Sequence, residues 1–325
     1  MKTAFRLLSA SALCAGLGLS LAPLPAEAAA CNTAAPVATI PLIRDSENRS
    51  FFVRVAVNGS NKLMLLSTAN GTTTFLTEAV EAMNLPVTNL RGATMAMATG
   101  SRGYDVTVAQ LSVGNAKILP SIYLLFPPQS DGGALYKANI VGWLGLDVLT
   151  QYDVDLDLAG NRMTLYDNRN CDGAPRAGAE GVFFDYDTKG RIVLPVTLDG
   201  YPLRAALDTS ADTDALNLRI AEDSMNFNIN APGVVKVPDT GVVDTYRARF
   251  GNFTMGGVTV NNPTLLVIQD KLRNQVDAVA PTGSNIRPTE DNRMPDFLVS
   301  NKLMSQYHVY IASRDKKLYF SPAGR

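Results

Sequence analysis

Short apolar and alternating runs, not long helical stripes, dominate the chain from about residue 37 onward. Phe51 to Val57 and Ile192 to Leu198 are apolar or alternate along their length, and each ends in a strong hairpin turn, Asn58-Gly59 and Asp199-Gly200. A second apolar strand then leads straight into Ser67 in one case and, through Leu203 to Leu207, into Asp208 in the other. Asp153 to Leu158 alternates strictly, with Val154, Leu156 and Leu158 on one face, as a half-buried strand should. It continues through a turn to Tyr166 as a closing hairpin. Helical spacing is brief, over Thr77 to Met83 and Gly145 to Gln151. The pattern predicts a mostly-β protein.

The pattern also repeats. At a spacing of 141, Val57-Asn58-Gly59 faces Leu198-Asp199-Gly200, and Leu65-Leu66-Ser67-Thr68-Ala69 faces Ala206-Leu207-Asp208-Thr209-Ser210. Towards the end of each unit the spacing becomes 155, where Gln151-Tyr152-Asp153-Val154 faces Gln306-Tyr307-His308-Val309. The second unit therefore carries about 14 extra residues, placed in the polar stretch 271–294 and read as a longer surface loop. Two related units, 37–170 and 180–322, flank a turn-rich linker over 171–179.

Composition narrows the chemistry. Among 325 residues, 29 Lys and Arg balance 30 Asp and Glu, so there is no basic excess to hold nucleic acid. One histidine excludes a two-histidine metal centre in a single chain, and neither metal nor cofactor is expected. At the amino terminus Lys2 and Arg6 precede an apolar run, Leu7 to Leu21, and then Pro23, Pro25 and Ala26-Glu27-Ala28-Ala29. This reads as a signal peptide over 1–28, implying export to a bacterial periplasm or beyond. No later segment is apolar and long enough to span a membrane as a helix. Cleavage removes Cys14 and leaves Cys31 and Cys171, an even pair that reads as one disulfide in an oxidising compartment. Two free thiols, or lipidation of Cys31, are the alternatives.

Asp208-Thr209-Ser210-Ala211 follows an apolar strand, and an apolar-apolar-small segment comes later in each unit: Trp143-Leu144-Gly145 and Leu298-Val299-Ser300. In these features the chain resembles the aspartic protease family, in its retropepsin-like and pepsin-like members, over nearly the whole length after the signal. The resemblance implies two tandem β-barrel lobes around a central cleft, with one catalytic Asp per lobe. The two carboxylates would share a proton, because adjacent like charges do not both ionise. It also implies that Thr68 and Thr209 lock the two loops together across the lobe interface. Flap hairpins would cover the cleft, with Thr99, Gly100 and Ser101 at the tip of the first and Pro238 to Gly241 in the second.

The chain departs from the family pattern where the chemistry lies. Ser67 stands at the first catalytic position, and Ala69, Ser210 and Ser300 replace glycines of the motifs. The expectation is a monomeric, exported protein with Asp208 as its one remaining dyad carboxylate, a weak or inactive peptidase that holds an extended peptide or protein segment between its lobes. An active peptidase using a second carboxylate such as Asp105 or Asp147, and a structural envelope protein without a ligand, are the competing expectations. His308 is read as structural, and Trp143 as core packing beneath the site.

Overall fold

The computed structural model describes residues 35–45, 50–97, 100–118, 122–126, 140–168, 181–187, 189–238, 244–269 and 295–323. The signal segment, Cys31, Cys171, the linker 171–179, Thr99 and the stretch 271–294 lie outside the described residues.

In the first unit the elements are β1 (Ala38–Arg44), β2 (Phe51–Val57), β3 (Ser60–Leu66), β4 (Thr74–Leu76), α1 (Thr77–Ala82), β5 (Val87–Met97) and β6 (Gly100–Val108). β7 (Leu111–Val113), β8 (Ala116–Lys117), β9 (Ile122–Phe126), β10 (Ile140–Leu144), α2 (Leu146–Leu149), β11 (Asp153–Asp157) and β12 (Arg162–Tyr166) complete it. The second unit opens with β13 (Gly181–Phe183), β14 (Asp185–Tyr186), β15 (Ile192–Leu198), β16 (Tyr201–Asp208), β17 (Ala215–Asn217) and α3 (Leu218–Met225). There follow β18 (Val235–Lys236), β19 (Thr245–Arg249), β20 (Asn252–Met255), β21 (Val258–Asn261), β22 (Thr264–Ile268) and β23 (Phe297–Ser300). The chain closes with α4 (Asn301–Met304), β24 (Tyr307–Ala312) and β25 (Lys317–Pro322).

The same turn sets the register in both units. Asn58 and Gly59 have φ of 47° and 82°, and Asp199 and Gly200 have 50° and 82°. A two-residue hairpin needs two such left-handed residues to match the twist of its strands, and Asn, Asp and Gly reach that region at low cost. Each hairpin then receives a parallel neighbour. β3 lies between antiparallel β2 and parallel β10, and β16 lies between antiparallel β15 and parallel β23. Ser67 and Asp208 thus leave equivalent central strands. Gly142 lets β10 lie close to β4: its φ is 157°, and a Cβ there would overlap the carbonyl oxygen of Thr74.

The protein is mostly β, in two large sheets. One has fifteen strands and the other ten, and among the described residues neither strand order closes on itself. The larger sheet contains strands of both units, because β11 pairs antiparallel with β24, Val154 opposite Ile311 and Asp157 opposite His308. One face of this seam is apolar, with Val154, Leu156, Val309 and Ile311 buried in the core. The other carries Asp153, Asp155 and Asp157, which alternation alone would send to solvent. All three are buried instead. The second unit covers them: His308 Nδ1 lies 3.4 Å from Asp155 Oδ1, while Tyr310 Oη and Ser313 N donate to Asp153 at 3.2 and 2.9 Å. His308 is therefore a seam residue, as its structural reading required.

Candidate active site

Two buried threonines form the centre of the site. Thr68 N donates to Thr209 Oγ1 and Thr209 N to Thr68 Oγ1, both at 3.1 Å. Each hydroxyl then donates across the interface, Thr68 Oγ1 to Leu207 O at 2.9 Å and Thr209 Oγ1 to Leu66 O at 2.8 Å. A hydroxyl supplies one donor and accepts on its lone pairs, so a threonine pair can satisfy two amides and two carbonyls where water does not reach. The strand ends are joined by four hydrogen bonds related by a pseudo-twofold.

Asp208 and Ser67 flank this centre. The Asp208 carboxylate is partly exposed, and its Oδ1 accepts from Ser210 N at 2.8 Å and from Ser210 Oγ at 2.5 Å. Ser67 is buried, and its N donates to Leu144 O at 3.1 Å. Its hydroxyl donates to Ser210 Oγ at 3.4 Å. A chain of hydroxyls therefore runs from Ser67 through Ser210 to the carboxylate. Ser210 stands two residues after Asp208, where the resemblance puts a glycine. The sequence signals it only as a missing glycine, yet its side chain caps Asp208.

The chemistry of two carboxylates sharing a proton cannot arise from this pair, because one member is a hydroxyl. Nor does a histidine stand by to activate Ser67, since His308 lies at the β11–β24 seam against Asp155. The two carboxylates considered as substitutes have other partners. Asp105 Oδ1 accepts from Asn89 Nδ2 at 2.8 Å, between the strands of the β5–β6 hairpin. Asp147 Oδ1 accepts from Thr73 N at 2.7 Å, Thr73 Oγ1 at 2.6 Å and Val148 N at 2.9 Å. Among the described residues no three His, Cys, Asp or Glu side chains gather where they could hold a metal ion.

Asp147 belongs to a brace that sequence reading missed. Gly145 N donates to Thr73 Oγ1 at 2.9 Å, so Thr73 ties the loop after Ser67 to the start of α2. In the second unit Asp214 does the tying: its Oδ1 accepts from Ser300 N at 2.8 Å and Ser300 Oγ at 2.9 Å. Burial pushes both carboxyls above the ordinary Asp value, against these hydrogen bonds, which favour the charged form.

A third contact crosses the units at the loop after Ser67. Asp187 Oδ1 accepts from Lys189 N and Arg191 N at 2.9 Å each, and its Oδ2 accepts from Arg191 Nε at 2.6 Å, which stiffens the turn before β15. This turn sits backbone to backbone on Gly71. A Cβ at Gly71 would overlap the carbonyl oxygen of Lys189, and Gly190 meets it with φ of 73°.

The expected flap falls within a longer hairpin, β5–β6, with Met97 opposite Gly100 and Ala96 opposite Ser101. Gly100 and Ser101 begin β6; Thr99 lies outside the described residues, as do the disulfide candidates Cys31 and Cys171 and, in the second hairpin, Asp239 to Gly241. Trp143 lies in β10, opposite Leu65 of β3 and Thr74 of β4, partly buried beneath the site loops.

No family model and no curated protein matches the sequence. Among solved structures, the crystal structure of the aspartic proteinase from Irpex lacteus is similar with a TM-score of 0.51 at 11% identity, covering 88% of this chain and 97% of that one. The crystal structure of EDGP is similar with a TM-score of 0.48 at 9% identity, covering 88% and 95%. At such identities the likeness to the proteinase is one of fold: this chain has the fold of an aspartic proteinase.

Proposed function

We propose that the protein is an exported member of the aspartic-protease fold whose cleft binds extended peptide and whose proteolytic chemistry is weak or lost. One observation carries this reading. The hydroxyl of Ser67 occupies the first dyad position and leads through Ser210 to a single carboxylate, Asp208. Water activation in such a fold needs a base and an acid made from two interacting carboxyls. Here the loop lock survives intact while one of those carboxyls is absent. Retaining the two-lobe architecture without the dyad favours binding over turnover.

Extended peptide is the ligand class because the site lies between the ends of two strands, β3 and β16, where main chain can be added as a further strand. Export rests on the amino-terminal sequence, residues 1–28. The competing peptidase reading is disfavoured because Asp105 and Asp147 have the partners given above. A peptide library incubated with the mature protein at acidic and at neutral pH tests the proposal. Retention of peptides without cleavage is expected, and Asp208→Asn should leave that retention in place. Cleavage that Asp208→Asn abolishes would restore the enzyme. Failure to retain any peptide would leave the structural envelope role.

A further inference from the structure

The 141 and 155 spacings place Thr73 opposite Asp214 and Asp147 opposite Lys302. Both later positions are second residues of the short helices that follow the apolar-apolar-small motif, α2 and α4. In the first unit the loop supplies a hydroxyl and the helix a carboxylate. In the second the loop supplies the carboxylate, which bonds Ser300, and Lys302 stands at the helix position that Asp147 fills in the first. Each carboxylate takes a backbone amide of the motif region as well as a hydroxyl, Val148 N with Thr73 Oγ1 in one unit and Ser300 N with Ser300 Oγ in the other. Neighbouring backbone bonds run the same way in both units. Leu146 N donates to Asn70 O, and Asn301 N to Ala211 O. Asn301 Nδ2 adds a bond to Thr209 O at 3.1 Å.

We infer that Asp147 and Asp214 are the positioning residues of the two site loops, one fastening device in which the carboxylate sits on the helix in the first unit and on the loop in the second. Asp214 then holds the loop that carries Asp208, and Asp147 holds the loop that carries Ser67. Neither touches the partly exposed carboxylate of Asp208, so their role is indirect. The device works whichever ligand the cleft takes.

Exchanging the roles tests it. Asp214→Thr removes the loop carboxylate, and Asp214→Thr/Lys302→Asp rebuilds in the second unit the arrangement of the first. Amide hydrogen exchange reads the loop directly. In Asp214→Thr the amides of Thr209, Ser210 and Ser300 should exchange about tenfold faster or more, the effect of losing charge-assisted bonds, while those of β11 and β24 stay protected. The double variant should recover most of that protection. Should Asp214→Thr alone fail to fold, recovery of a folded protein in the double variant is the expected result. The inference is overturned if the single variant leaves the loop amides unchanged, if exchange rises equally along the β11–β24 seam, or if Lys302→Asp restores nothing.

Discussion

Thr68 and Thr209 bond to each other twice, each amide to the other's hydroxyl at 3.1 Å, and each hydroxyl continues to a carbonyl of the opposite strand. Both residues are fully buried. Replacing either by valine keeps the shape and leaves a buried amide and a buried carbonyl unpaired. The loss should be about 1–3 kcal/mol for each substitution. The two hydroxyls carry separate bonds, two each, so the double substitution should cost about the sum, and any departure from it measures the coupling between the loops. Urea unfolding of the two single variants and the double measures this.

Three carboxyls, buried Asp153 and half-buried Asp147 and Asp214, are pushed above the ordinary Asp value, chiefly by burial. The folded state therefore holds protons that the unfolded state has released, and each group lowers stability as pH rises through its folded value. Asp187 has the opposite sign. Burial raises it, but the hydrogen bonds and charge of Arg191 outweigh burial and leave it lowered, so its contribution is lost only as pH falls through its folded value. The melting temperature should thus rise on acidification from neutral towards the ordinary Asp range near 3.8. Asp153→Asn and Asp214→Asn should each flatten that slope.

Tyr123 is buried with its hydroxyl unpaired among the described residues, and burial together with the charge of Asp147 pushes its phenol up to about 12. A buried hydroxyl without a partner costs desolvation and returns nothing. Tyr123→Phe keeps the ring against Phe75, whose centroid is 5.3 Å away. It should be neutral or stabilising by up to about 1 kcal/mol, in contrast to the loss typical of core substitutions. Thermal unfolding decides the sign.

Gly71→Ala should be costly for a reason outside its own unit. The added methyl meets the Lys189 carbonyl and Gly190 backbone, not a flexible side chain. Overpacking of this kind costs about 1–3 kcal/mol. Proteolysis or amide exchange should show the turn at 189–191 loosened.

Much of this could be read from sequence because landmark residues recur at fixed spacings. Asn58-Gly59 and Asp199-Gly200 announced equivalent hairpins, and the threonines at 68 and 209 fell opposite one another. The short helices over 77–82 and 146–149 also lie where brief helical spacing placed them. What stayed hidden depends on contacts between units or on exchanged chemistry. Asp153-Val154-Asp155-Leu156-Asp157 alternates like a half-exposed strand, yet all five residues are buried, because β24 lies alongside and brings His308 and Tyr310 over the acids. The braces were invisible because a hydroxyl in one unit is matched by a carboxylate in the other, so Thr73 and Asp214 do not look alike. Ser210 was legible only as a lost glycine, and its bond to Asp208 needs the folded turn.

The proposed function turns on Ser67, which stands where the resemblance puts a second carboxylate, with Ser210 bonded to the carboxylate of Asp208. The most direct measurement is peptide hydrolysis across acidic and neutral pH by the wild type, by Asp208→Asn, by Ser67→Asp with Ser210→Gly, and by that double variant with Asp208→Asn added. The double variant restores the second carboxylate and frees the first, and should gain hydrolysis that depends on Asp208 where the wild type has little or none. Wild-type hydrolysis that vanishes in Asp208→Asn would contradict the account.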